Sequence, residues 1–86
     1  MEIVARTPAQ LGAALKSARM RRGLSQTNAA LNVGLKQKTV SSLENIGART
    51  TVDTLYKMLS ALGLELVIRD KERVDTSAHG PSSKEW

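Results

Sequence analysis

Residues 23–45 read GLSQTNAALNVGLKQKTVSSLEN, and the spacing of caps and turns in this stretch decides the fold. Ser25 can cap a short helix over about residues 26–32, because a serine hydroxyl accepts a backbone N–H from the first helical turn. Gly34 can adopt the positive φ of a tight turn, and Lys36 or Gln37 then begins a third helix that runs to about Asn45, with Val40 and Leu43 on its apolar side. Two short helices joined across a three-residue turn with glycine form a helix-turn-helix.

One further helix is predicted on each side of this stretch. Thr7 offers a side-chain cap and is followed by Pro8, which suits the first helical position. Thr50 or Thr51 caps a fourth helix, whose apolar residues repeat at helical spacing until Gly63 stops it. We therefore predict a mainly α helix-turn-helix domain of four to five helices over residues 7–63.

The ends of the chain differ from this domain. Residues 1–6 have no useful periodicity and are predicted to be an N-terminal arm, while the polar residues 71–86 are predicted to be a flexible C-terminal tail. Residues 64–70 alternate in polarity and are predicted to be one short strand. Because a lone strand has unpaired edges, we expect it to pair with the same strand of a second copy in a homodimer. The dimerisation residues would be Leu64, Leu66, Val67 and Ile68.

Composition excludes several kinds of protein. The 86 residues include no cysteine and one histidine, His79, which excludes disulfides, cysteine-based zinc sites and most histidine-dependent catalysis. We expect no enzyme activity, no cofactor and no metal. Glu2 and the lack of a long apolar run argue against a signal peptide and against a membrane span, so we expect a cytoplasmic protein.

Positive charge is concentrated in one half of the chain. The segment from Arg6 to Arg49 carries eight cations and one acid, Glu44, for a net charge of +7, and all other residues together carry −2. Such a segment suits a polyanion, since cations that contact phosphates release counterions. The two aromatic residues, Tyr56 and Trp86, are too few for base-stacking platforms, so duplex DNA is the better candidate than RNA or single strands.

The third predicted helix has a polar face that carries no acid. Lysine and glutamine on such a face can bond guanine and adenine edges in the major groove, and serine can bond either. The polar face of an amphipathic helix is more often simply exposed to solvent, but the helix-turn-helix spacing and the +7 segment favour DNA binding here. The predicted base contacts are Lys36, Gln37, Lys38, Ser41 and Ser42.

The residues of this stretch also carry a family resemblance. The run Gly23-Leu24-Ser25-Gln26-x-x-Ala29-Ala30, followed by Gly34-Leu35 and Val40-Ser41-x-x-Glu44-Asn45, resembles the phage-repressor (Cro, or XRE) type of helix-turn-helix, which has a lambda-repressor-like fold. Within this family, the chain is most similar to the HipB antitoxins, which are paired with the HipA kinase. The similarity lies in residues 34–41, the Thr50-Thr51 pair, the segment after Gly63 and the final Glu85-Trp86.

The resemblance implies roles for particular residues. Gln26, at the start of the second helix, is implied to bond a DNA phosphate, and the other expected phosphate contacts are Ser25, Thr39 and Asn45. Charge alone would place Arg19 among them, but the resemblance implies that Arg19 forms a structural ion pair with Glu44.

The functions implied are those of a repressor and an antitoxin. The chain would bind an inverted-repeat operator in double-stranded DNA at the bacterial nucleoid, repress its own operon and bind a HipA-like serine/threonine kinase. Two alternatives remain open: a phage- or plasmid-type repressor without a toxin partner, and a small helical adaptor whose basic face binds an acidic protein. Comparing an operator with a scrambled duplex separates the adaptor from the two repressors.

Overall fold

Four helices form the part of the chain that the computed structural model describes, residues 2–45 and 49–71. They are α1 (Pro8–Arg21), α2 (Gln26–Asn32), α3 (Gln37–Asn45) and α4 (Val52–Ala61). The prediction of a mainly α helix-turn-helix fold is confirmed, with α2 and α3 as the helix-turn-helix pair. Within the described ranges, no helix is long and apolar enough to cross a membrane.

Three helices begin at hydroxyl caps. The side chains of Thr7, Ser25 and Thr51 each accept a backbone N–H from three residues further on, at 3.0, 3.0 and 3.1 Å. Gln10 adds a second contact at the start of α1, since its Oε1 accepts the backbone N–H of Arg6 at 2.6 Å. This closes a variant of the capping box in which the side chain reaches one residue beyond the cap.

Three helices also end in the same way, at a Gly-Leu pair. After α2, Gly34 has φ +72°, its N–H bonds the Leu31 carbonyl at 3.4 Å, and the next N–H, of Leu35, bonds the Ala30 carbonyl at 2.8 Å. This is the Schellman pattern, which satisfies free carbonyls at a helix end and turns the chain back toward the core. Gly23-Leu24 and Gly63-Leu64 repeat the hydrogen bonds at the ends of α1 and α4.

The core lies where the four helices meet. α3 packs against α1 and α2, and α2 packs against α4. The three leucines that follow the glycines pack against the core from its edge, together with Leu11 and Leu55. The buried apolar side chains are Leu15, Ala18, Ala29, Ala30, Val40, Leu43, Met58, Leu59 and Leu62.

The strand expected at residues 64–70 does not form among the described residues. A strand requires a hydrogen-bonded neighbour, and no other described segment supplies one to this single chain. Leu64 packs against the core, whereas Leu66, Val67 and Ile68 are exposed, the last to 90%. Pairing across a dimer therefore stays a prediction. Residues 2–6, the described part of the arm, have no regular structure. Arg69 Nη1 lies 3.4 Å from Oε2 of Glu2 in this arm.

The tail predicted from residue 71 onward, with His79 and Trp86, lies outside the described residues apart from Lys71.

Candidate nucleic-acid interface

α3 presents its polar side to solvent because its apolar side packs inward. Val40, Leu43 and Glu44 are buried. The remaining positions are open to varying degrees: Thr39 and Ser41 are half-buried, and the exposed residues are Lys36, Gln37, Lys38, Ser42 and Asn45. All five residues expected to contact bases therefore lie on one accessible helix or directly before it.

Glu44 is an acid within the core, and Arg19 of α1 neutralises it. Arg19 Nε lies 2.6 Å from Glu44 Oε2 and Nη2 lies 3.1 Å from Oε1, so the guanidinium binds the carboxylate through two parallel hydrogen bonds. The two side chains are only 11% and 1% exposed. This is the pair that the family resemblance implies, and it makes Arg19 a structural residue.

The environment of Arg19 favours its charged form. The hydrogen bond to Glu44 raises the pKa of the Arg19 guanidinium, burial opposes this, and the negative charge of Glu44 adds to the rise. Arg19 Nη1 also donates to the Leu24 carbonyl at 2.7 Å, which ties the α1–α2 turn to the same group.

The Arg19–Glu44 pair is continuous with the first residues of α2 and α3. Gln26 Nε2 donates to Glu44 Oε1 at 3.0 Å, and Gln37 Nε2 donates to Gln26 Oε1 at 2.6 Å. A buried ion pair thus holds a half-buried glutamine, which in turn holds an exposed one. The sequence predicts separate roles for these residues, whereas the structure joins their side chains in one series of hydrogen bonds.

The other expected phosphate contacts do not take part in this series of hydrogen-bonded side chains. The Ser25 hydroxyl accepts the Asn28 N–H, which leaves its own proton available for another acceptor. Asn45, at the far end of α3, donates to the Ser41 hydroxyl at 3.3 Å.

Sequence reasoning missed two residues beside the exposed polar face of α3. Arg49 and Thr50, which precede α4, line a shallow depression together with Lys38, Thr39 and Ser42 of α3. Arg49 is exposed. Arg49 belongs to the basic segment, but nothing in the local sequence indicates that it lies next to α3.

Gly12 was also missed, although it sets how closely α1 approaches α3. A Cβ at this position would lie 2.7 Å from the Leu43 carbonyl oxygen and 2.6 Å from that of Glu44. Gly12 and Arg19 lie seven residues apart on one face of α1, so the glycine brings the helices close enough for the ion pair to form.

The surface charge of the basic segment is more uniform than its sequence suggests. Glu44 is neutralised inside the domain by Arg19, and the remaining cations are all exposed. Among its described residues, the segment from residue 6 to 49 therefore exposes no acid and seven cations: Arg6, Lys16, Arg21, Arg22, Lys36, Lys38 and Arg49.

Comparison with known proteins agrees with this geometry. A family model described as helix-turn-helix matches residues 15–68. The antitoxin HipB of Escherichia coli strain K12 is 32% identical over 80 residues, which cover 93% of this chain and 91% of that protein. The chain belongs to the HipB family of helix-turn-helix antitoxins.

Solved structures related to this HipB-family chain share its fold. A HipA-HipB-O2-O3 complex contains a chain with a TM-score of 0.77 and 33% identity, over 84% of this chain and 100% of that one. A HipB-O4 20mer complex gives a TM-score of 0.74 and 35% identity, over 84% and 99%. The restriction-modification controller protein C.AhdI from Aeromonas hydrophila gives 0.63 and 28%, over 67% and 84%.

Proposed function

We propose that this HipB-family chain is a sequence-specific repressor that binds double-stranded operator DNA, represses its own operon and serves as the antitoxin of a HipA-like serine/threonine kinase. The observation that carries the proposal is the open polar face of α3, set in a segment that exposes seven cations and no acid among its described residues. The relatives of similar length include an antitoxin and chains solved in a HipA-HipB-O2-O3 complex and in a HipB-O4 20mer complex. They favour the antitoxin over a repressor without a partner.

Each part of the interface has a distinct task in this proposal. Lys36, Gln37, Lys38, Ser41 and Ser42 contact base edges in the major groove, where sequence is read. Phosphate contacts fix the register of the protein on the duplex without reading sequence. They come from Ser25, Gln26, Thr39 and Asn45, and we add Arg49 because it lines the same depression as Lys38.

The segment 64–68 is the proposed site of dimerisation. Leu66, Val67 and Ile68 are exposed on backbone that has no partner among the described residues. Pairing with the same segment of a second copy would satisfy this backbone in a two-stranded ladder and place the apolar side chains of the two copies side by side. The resulting two-fold axis would place the two α3 helices in successive major grooves about 34 Å apart, which calls for an inverted repeat.

The kinase must bind a surface that leaves α3 free. The outer face of α1, with Lys16, Met20 and Arg21 around a shallow groove, and exposed Val52 and Tyr56 on α4 are available for this.

Two experiments test the proposal. The chain is titrated with duplexes from its own promoter region and with scrambled duplexes of equal composition, and the product of the neighbouring gene is then co-purified with it. We expect a clear preference for promoter DNA and capture of a kinase. Equal affinity for both duplexes would contradict the repressor and favour the adaptor, and a repressor that captures no kinase would contradict the antitoxin role.

A further inference from the structure

We propose that residues 2–6 of the N-terminal arm form the outer strand of the dimer sheet, by pairing antiparallel with residues 65–69 of their own chain. One contact joins the two segments in the structure, since Arg69 Nη1 lies 3.4 Å from Glu2 Oε2. The inference rests on the proposed pairing of two copies through the segment 64–68, and it gives the arm a role in assembly rather than in DNA binding.

The contact between Glu2 and Arg69 sets the register of such a pair. In an antiparallel pair, each step forward along the arm is opposite one step backward along residues 65–69. The two ends then carry opposite charges, and the three pairs between them are apolar. The opposite residues are Glu2 with Arg69, Ile3 with Ile68, Val4 with Val67, Ala5 with Leu66, and Arg6 with Glu65.

Neighbouring registers lack this match. A shift of one residue in one direction places Glu2 opposite Ile68 and removes the charge pairs at both ends. A shift in the other direction places Glu2 opposite Asp70, and like charges directly opposite each other destabilise a sheet. The sequences of the two segments therefore favour the register that the structural contact indicates.

The same register separates an apolar face from a charged one. Opposite residues point to the same side of a sheet, and the side alternates along each strand. Leu64 packs against the core, so its side of the sheet faces the domain. That side carries only apolar residues, whereas the other side carries both charge pairs around Val4 and Val67. The apolar side consists of Ile3, Ala5, Leu64, Leu66 and Ile68.

The arm is held at one end and available at the other. The backbone N–H of Arg6 donates to Gln10 Oε1 at 2.6 Å, which fixes the point where the arm meets α1. Ile3 and Val4 are 45% and 49% exposed, so both can bury further surface. Within the described single chain the arm and residues 65–69 form no strand, as expected of a two-stranded pair, which is marginal in water.

A second copy would change this balance. A strand has two edges, and if the second copy takes one edge of the segment 64–68, the arm can take the other. The sheet would then have four strands, with the two arms outermost, and three or more strands with an apolar face suffice for a stable sheet. The arms are short and charged at their ends, features that discourage pairing with a further chain.

Introduced cysteines test the register, because the chain has none of its own. The variant with Val4→Cys and Val67→Cys places two thiols directly opposite each other. Its matched control, with Val4→Cys and Leu66→Cys, places them on opposite faces. Both are equilibrated in a glutathione buffer, and peptide mapping of mixed labelled and unlabelled chains shows whether each disulfide lies within one chain.

We expect the first variant to form the intrachain disulfide at least about tenfold more favourably than the control. An unpaired, flexible arm would give both variants similar effective thiol concentrations, in the millimolar range. Equal disulfide formation in the two variants would therefore overturn the register. A disulfide that joins two chains would overturn pairing within one chain.

A charge exchange tests what the arm contributes to the dimer. Glu2→Arg places a cation opposite Arg69 and should raise the dimer Kd by roughly two- to fivefold, the range for one cross-strand charge pair. Adding Arg69→Glu restores opposite charges and the original net charge, so it should restore the Kd. Sedimentation at several concentrations measures both variants.

The outcomes separate this inference from the dimer on which it rests. A wild type that dimerises, with a Kd that Glu2→Arg leaves unchanged or that Arg69→Glu fails to restore, would overturn the role of the arm alone. A wild type that remains monomeric at all concentrations would refute the proposed dimer, and the role of the arm with it.

Discussion

The helical domain and the segment that follows it differ in whether a single chain supplies their hydrogen-bond partners and buries their apolar side chains. Between residues 8 and 63, the described buried side-chain nitrogen and oxygen atoms all have hydrogen-bond partners, and even the buried acid Glu44 is paired. In the segment 64–68, Leu66, Val67 and Ile68 remain exposed on unpaired backbone. The comparison teaches that one chain completes the helical domain and the exposed face of α3, whereas the proposed dimer depends on what a second chain supplies to residues 64–68.

The largest effect should come from breaking the ion pair that completes the helical domain. Arg19→Ala leaves the Glu44 carboxylate buried without a counter-charge and frees the Leu24 carbonyl, which should cost about 3 to 5 kcal/mol of unfolding free energy. Thermal melts measure this. Arg21→Ala removes an exposed cation from the same helix and should leave the melting temperature nearly unchanged. A similar melt for both variants would mean that the pair does not stabilise the domain.

A smaller loss is expected from separating α1 and α3. Gly12→Ala places a methyl group against two backbone carbonyls, so the helices must move apart, at a cost of roughly 1 to 3 kcal/mol. The exposed Ser17→Ala on the same helix is the control, and denaturant unfolding is the measurement. If Gly12→Ala is as stable as the control, the close approach is not required.

A change in the segment 64–68 should leave the helical domain intact and act on assembly alone. Leu66→Pro removes a backbone N–H and should break strand pairing, halving the mass in sedimentation without lowering the melting temperature of the monomer. Leu66→Val keeps the N–H and the apolar side chain and should remain dimeric. An undiminished dimer mass for the proline variant would refute pairing through this segment.

How much the sequence could predict differs between these regions for physical reasons. Helix bounds follow from local caps such as Thr7, Ser25 and Thr51, so they could be read from neighbouring residues alone. The Gly-Leu pairs at three helix ends are equally local. In the proposed dimer, the structure of residues 64–68 depends on pairing with a second chain, which local sequence cannot specify.

Contacts between distant residues were harder to predict. Arg19 and Glu44 lie 25 residues apart, and only the family resemblance suggested that they meet. The chain through Gln26 to Gln37 and the approach of Gly12 to α3 depend on how helices pack, which helical periodicity does not specify. Arg49 was recognised as a cation, but its place beside Lys38 follows from the path of the chain into α4.

The measurement that tests the central claim most directly is a titration of wild type and Lys38→Ala against a selected operator and a scrambled duplex. Lys38 is exposed on α3, so its loss should remove a base contact at about 1 to 3 kcal/mol. The account predicts that affinity for the operator falls while affinity for the scrambled duplex changes little, so the ratio between them collapses. If both affinities fall by the same factor, Lys38 contacts phosphate, and the claim that the exposed face of α3 reads bases is contradicted.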